Sequence, residues 1–305
     1  MMPHGIERRW LPVTPELSLP LLQASGAESG PVLAVTAGVH GDEYEGVRAI
    51  WDVFEGLDTS ALRGTVLAVP VANPPAHRAC TRTSPIDGAN LARVFPGDPQ
   101  GTLSQRIAAV LADAVIARCD FYLDLHSGGV RYGMPSMAGF ASADARGRAA
   151  AEAFGAPVIW GHPVIEPGRT ISVAHARGIP FLYTEAWGAG RILASDLAMM
   201  RRGIGNLLRH LRMLPGQPEI PAPPRRLFGA GNTDDGLAAG EDGFLRMDVS
   251  LLERVTSGQR LGRLCDLQGT TIETYFAPRA ATVALTHEMP IVTKGDTLFL
   301  LADEE

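Results

Sequence analysis

The chain has 305 residues, 46% hydrophobic and 20% charged, with a formal net charge of -6, so it can bury a full globular core and lacks the basic surplus that gripping a phosphate backbone requires. Nucleic acid is therefore not an expected partner. The 27 basic side chains include a single lysine, Lys294, and the pairs Arg201-Arg202 and Arg225-Arg226 read as solvated surface.

The opening MMPHGIERRWLPV carries charges and a proline where a secretory leader needs an unbroken apolar run. No later segment approaches the roughly 20 apolar residues that span a bilayer, so no membrane partner is expected. From residue 31 onward, short apolar runs ending in Gly, His or Asp alternate with longer Ala-, Leu- and Arg-rich stretches. That is the rhythm of an α/β protein with a parallel or mixed sheet. Strands are predicted over 32–37, 65–71, 121–125 and 180–184, each too continuously apolar to face water on one side, so both faces of the sheet should be covered. Helices are predicted over 43–54, 102–117, 143–154, 172–177 and 194–211, where apolar residues recur at three- and four-residue spacing. The proline-bearing stretch 73–99 reads as loop.

The run PGQPEIPAPP at 215–224 cannot be regular helix and marks a boundary. It divides the chain into a larger domain over 1–214, a linker over 215–226 and a small β-domain over 227–305. Within the last, VTSGQRL at 255–261 and VTKGDTL at 292–298 share the pattern V-T-x-G-x-x-L, predicting two quasi-symmetric halves. Cys80, Cys119 and Cys265 are widely spaced and fit neither a disulfide framework nor a CxxC pattern, so reduced thiols in a cytoplasm are expected.

His40-Gly41-Asp42-Glu43 follows directly on the first predicted strand, at the edge where open α/β sheets place their chemistry. An imidazole and a carboxylate three residues apart can converge on one cation, and both are good zinc donors. FYLDLHSGG at 121–129 is again an apolar strand ending in a His followed by turn residues, which offers His126 as a third ligand. Asp124, two residues earlier on the same strand face, can orient a ligand or serve as a buried structural Asp. Two His and a Glu with an open fourth position form a catalytic rather than a structural zinc arrangement. FLYTEAWG at 181–188 places Glu185 on the same sheet edge, where it is a candidate general base for an attacking water. The loop from Arg78 to Arg93 offers guanidinium groups that can pair with a carboxylate or stabilise an oxyanion, which implies a small anionic substrate. His4, His77, His162, His175, His210 and His287 lack a partner at ligand spacing and receive no metal role.

With HGDEYEG, RTSPIDGANLARVFPG, DLHSGG and TEAWG in that order, the chain resembles the succinylglutamate desuccinylase/aspartoacylase family of carboxypeptidase-like zinc hydrolases over roughly residues 15 to 212. The resemblance implies a carboxypeptidase-like mixed sheet flanked by helices, followed by a C-terminal all-β domain like a lipoyl/biotinyl-type barrel. It implies one zinc ion at His40, Glu43 and His126, and Glu185 as catalytic acid/base. It further implies that Arg82 polarises the scissile carbonyl, that Arg93 binds the substrate carboxylate, and that Asn90 belongs to the same substrate-binding loop. The expected substrate is a small N-acyl amino acid. The motifs look closest to the branch that includes N-acetyl-diaminobutyrate deacetylases, although Ala92 stands where the family often has Asn. Lys294, just before Gly295 at a strand entrance, is not placed like a swinging cofactor arm; the C-terminal domain is expected to cover part of the active site instead. Two other readings of the same residues are a peptidase or esterase and a non-catalytic zinc-binding protein, and homo-oligomerisation is left open.

Overall fold

A computed structural model describes residues 4–305; the first three residues of the opening segment lie outside it. An antiparallel hairpin, β1 (Gly5–Thr14) and β2 (Leu17–Ser25), comes first and lies outside the predicted elements. Then follow β3 (Glu28–Ala37), α1 (Glu45–Gly56), β4 (Arg63–Val69), α2 (Pro74–Ala79), α3 (Leu103–Ala114) and β5 (Phe121–Leu125). The next elements are β6 (Tyr132–Gly133), β7 (Met137–Ala141), α4 (Ala145–Phe154), β8 (Val158–His162), α5 (Thr170–Ala176), β9 (Phe181–Glu185), α6 (Ala194–His210) and β10 (Arg225–Phe228).

In space the strands run β1-β2-β4-β3-β5-β9-β7-β8-β10. The centre β4-β3-β5-β9 is parallel throughout, whereas β7 runs antiparallel to β9, so the sheet is mixed. Helices α1, α4 and α6 cover one face, burying Ile50, Phe54, Phe154 and Ile204 against the strands. Helices α3 and α5 cover the other with Ile107, Leu111, Ile171 and Ala174. Coverage of both faces explains the continuous apolar runs of β3 and β5.

Three local predictions need correction. Residues 73–99 are not all loop, because Pro74 and Pro75 occupy the first positions of α2, where their missing N–H groups cost nothing, and the Asn73 side chain caps the turn by accepting from the Ala76 N–H. Helix α1 starts at Glu45 rather than at residue 43, since Glu43 turns toward the two histidines described below. The predicted linker over 215–226 loses its last two residues to β10, and Arg225 there is no solvated ornament: its guanidinium makes two 2.7 Å bonds to Glu304. Those bonds, together with one from Arg254 and against the effect of burial, hold the Glu304 carboxyl below its ordinary range.

The C-terminal strands are β11 (Leu237–Ala238), β12 (Gly243–Met247), β13 (Arg254–Val255), β14 (Arg260–Cys265), β15 (Thr271–Phe276), β16 (Ala281–His287), β17 (Ile291–Val292) and β18 (Thr297–Glu304). They form two sheets, β11-β18-β16-β13 and β15-β14-β12-β17, around a core of Leu245, Leu261, Leu264, Val283, Leu298 and Phe299. Each copy of V-T-x-G-x-x-L carries the chain from one sheet to the other, β13 to β14 in the first and β17 to β18 in the second. The Val and Leu of each copy are buried, and Gly258 and Gly295 sit at φ +80° and +91° in the crossing turns, where L side chains are strained. Pairing of β18 with β10, and of β6 with β16, joins this sandwich to the large sheet.

Candidate metal centre

Because β3, β5 and β9 are parallel neighbours, their carboxyl ends lie side by side and deliver His40 with Glu43, His126 and Glu185 to one place. The turn after β3 is held by close packing: a Cβ on Gly41 would stand 2.0 Å from the Ala76 carbonyl carbon, so only glycine fits. Asp42 accepts from the Val130 N–H at 3.0 Å and ties this turn to the loop that follows His126.

One donor atom each from His40, Glu43 and His126 lies within 4.8 Å of the others. His40 Nδ1 is 2.6 Å from Glu43 Oε1, and His126 Nδ1 is 2.8 Å from Glu43 Oε2. The opposite ring nitrogens are spoken for. His40 Nε2 faces Asn90 Oδ1 at 3.2 Å, an oxygen that also accepts from the Ala92 N–H, so Nε2 carries the proton. His126 Nε2 donates to Asp124 Oδ2 at 2.9 Å, while Thr36 and Thr170 also donate to that carboxylate. With both Nε2 atoms donating outward, both Nδ1 atoms are aimed at the point Glu43 already faces, which is how protein partners fix metal-binding imidazoles. The residues present fit a divalent ion.

The electrostatics favour this arrangement at Glu43 and His40, while at His126 they favour a proton that an ion would have to displace. Burial alone would raise Glu43, but the adjoining His40 and His126 hold it well below the usual carboxylate range. Burial, with Arg82 assisting, lowers His40 to about 4, leaving a neutral ring suited to ligation. Burial opposes ionisation of His126, yet Asp124 and Glu43 outweigh it and raise its pKa. Burial would likewise raise Asp124, and His126 keeps it lowered.

Glu185 behaves in the opposite way. Desolvation, followed by the charge of Glu43, pushes it up to about 8, and its Oε2 is buried with no hydrogen-bond partner. Arg82 reaches in from its loop, with one guanidinium nitrogen 3.2 Å from Glu43 Oε1 and its centre 6.0 Å from the Tyr132 ring.

These groups open into a cavity lined by His40, Arg82, Ala92, Arg93, His126 and Glu185. Arg93 is there, but its Nε bonds Asp234 Oδ2 at 3.0 Å, and Asn90 is engaged with His40. The far wall is lined by residues to which the sequence assigns no role: His162, Glu166, Arg169, Tyr183 and the segment 230–233. His162 Nδ1 donates to the Gly229 carbonyl at 3.0 Å, so its Nε2 accepts from Tyr183 Oη at 2.7 Å, and burial lowers its pKa to about 4. A signal for it existed, since VIWGH ends an apolar strand in histidine as the other two motifs do. Residues 230–233, which follow β10, line the cavity, and Arg169 donates to Asn232 Oδ1 at 2.8 Å. The expected partial cover by the C-terminal region thus comes from its first loop.

A pair of imidazoles and a carboxylate converging beside an unpaired carboxylic acid is the donor set of catalytic, open metal sites rather than of structural ones. The chain belongs to the succinylglutamate desuccinylase/aspartoacylase family, whose catalytic-domain model matches residues 29–211. It is 33% identical over 282 residues to N-alpha-acetyl-L-2,4-diaminobutyric acid deacetylase of Halomonas elongata, covering 90% of this chain and 82% of that one. The crystal structure of a succinylglutamate desuccinylase/aspartoacylase from Rhodobacter sphaeroides is similar, with a TM-score of 0.88 at 30% identity over 99% of this chain and 97% of that one. The product-bound ectoine utilization protein EutE (DoeB) of Ruegeria pomeroyi has a TM-score of 0.89 at 28% identity, over 99% and 96%. Among the described residues, no helix is long and apolar enough to cross a membrane.

Proposed function

We propose that the protein is a zinc-dependent amidohydrolase that removes the acyl group from a small N-acylated amino acid, with N-acetyl-diaminobutyrate as the foremost substrate. Glu185 carries this reading: a cavity-wall carboxylic acid whose pKa is pushed up to about 8 stands beside a ready set of metal donors. The deacetylase relative and the family match support the substrate class.

His40, Glu43 and His126 would hold the ion, which when bound supplies Lewis acidity and eases ionisation of a water near neutral pH. Glu185 takes the proton from the attacking water and passes it to the leaving amine, a cycle served by a pKa that lies near the working pH. Arg82, directed into the cavity beside Glu43, stabilises the negative charge that develops on the carbonyl oxygen. Arg93 orients the substrate by its carboxylate, and Asp124 and Asn90 hold the two histidines in their ligating tautomers.

The test is acid release from a panel of N-acetyl and N-succinyl amino acids, alongside short peptides and simple esters. Turnover of the acyl amino acids supports the reading. Preferential peptide trimming or ester cleavage points to the alternative chemistries, and one bound metal with no hydrolysis anywhere points to a binding protein.

A further inference from the structure

The cavity mouth carries a balance of opposite charges. Two arginines face it, Arg93 and Arg169, and two carboxylates stand with them, Glu166 on the loop between β8 and α5 and Asp234 in the covering segment. Their fields overlap: burial and the charge of Arg93 lower the Arg169 pKa, whereas Glu166, Tyr183 and Asp234 act the other way. Asp234 is already bonded to Arg93. Glu166 lines the cavity and has no hydrogen bond or ion pair among the described residues. The remaining acids of the pocket are committed elsewhere, Asp124 to His126 and Glu185 to the reacting centre.

A substrate carboxylate seated on the arginines therefore leaves one carboxylate, Glu166, with neither a cation of its own nor a role in the chemistry. An N-acyl amino acid with an acidic side chain would bring a second negative charge against it. One with a short side chain ending in an ammonium would satisfy it. We infer that Glu166 is a specificity-determining residue that receives the side-chain ammonium of an N-acylated diamino acid, an assignment that rests on the deacylase reading above. Repulsion of the wrong charge counts here as much as attraction of the right one.

The experiment compares kcat/KM for Nα-acetyl-2,4-diaminobutyrate and for N-acetylaspartate in the wild type and in Glu166→Gln. The wild type should prefer the diamino substrate, and the substitution should lower that preference about tenfold, through KM for the diamino substrate, as expected for losing one hydrogen bond to a charged group. An unchanged preference ratio, or an equal loss on both substrates, overturns the assignment. A Glu166→Asp variant, which keeps the charge, should retain most of the preference and guards against general disturbance of the loop. If the wild type turns over N-acetylaspartate better than the diamino substrate, this inference fails while the deacylase reading stands. If it hydrolyses neither and no other acyl amino acid, the deacylase reading fails first.

Discussion

The two walls of the cavity are built on opposite principles. On the wall made by β3 and β5, acid and base are matched atom for atom: both Glu43 oxygens meet imidazoles, and Asp124 takes bonds from His126, Thr36 and Thr170. Across from it, on β8 and β9, the only hydrogen-bonded pair of cavity-facing side chains is neutral, His162 with Tyr183, and Glu185 has a buried oxygen with no partner. The same residue type is therefore held charged on one wall and pushed toward neutrality on the other. Preorganised charge suits holding a cation, and an acid poised near pH 8 suits moving a proton.

Substitutions that blur this division should have graded effects. Glu185→Gln keeps shape and removes the proton acceptor, so kcat should fall by about 10²–10⁴ while elemental analysis still finds the metal. Loss of metal along with activity would instead place Glu185 on the holding wall. Arg82→Ala should lower kcat by about 10²–10³ with a smaller change in KM, measured by steady-state kinetics on the best acyl substrate. Asp124→Asn leaves the ligands in place but loosens His126, and metal affinity in a competitive chelator titration should drop about 10–100-fold.

A last effect falls on stability rather than turnover and concerns pH. In metal-stripped protein, the folded state binds a proton at Glu185 up to about pH 8, whereas the unfolded chain releases it near the ordinary glutamate value of 4.5. The folded state binds more protons in that window, so the Glu185 contribution to stability is lost as pH rises from 4.5 through about 8. Denaturant unfolding of wild type and Glu185→Gln should therefore show the wild type losing ground to the variant across that range and running parallel above it. A constant difference would show that Glu185 ionises normally.

The holding wall was legible in the sequence because each of its parts sits at the end of an apolar strand, in a run of two to four motif residues. His40, Glu43 and His126, and with them Glu185 from the opposite wall, needed only the inference that β3, β5 and β9 are parallel neighbours. The rest of the far wall was not, because Glu166, Arg169 and segment 229–236 have no local motif: the first two lie in the loop after β8 and at the cap of α5, and the segment follows the proline-rich run. Their meeting is a product of tertiary folding. The hairpin β1–β2 escaped notice because β1 mixes Glu7, Arg8, Arg9 and the exposed Trp10 with its apolar residues and so shows no clean alternation. Helix α2 was missed because its two prolines read as helix breakers, whereas at a capped first turn they are compatible with one.

The most direct test of the central claim is acetate release from Nα-acetyl-2,4-diaminobutyrate by protein stripped with a chelator and then restored with zinc. The stripped enzyme should be inactive, and activity should return in proportion to zinc until one ion is bound per chain. Full activity in protein verified to be metal-free would contradict the account.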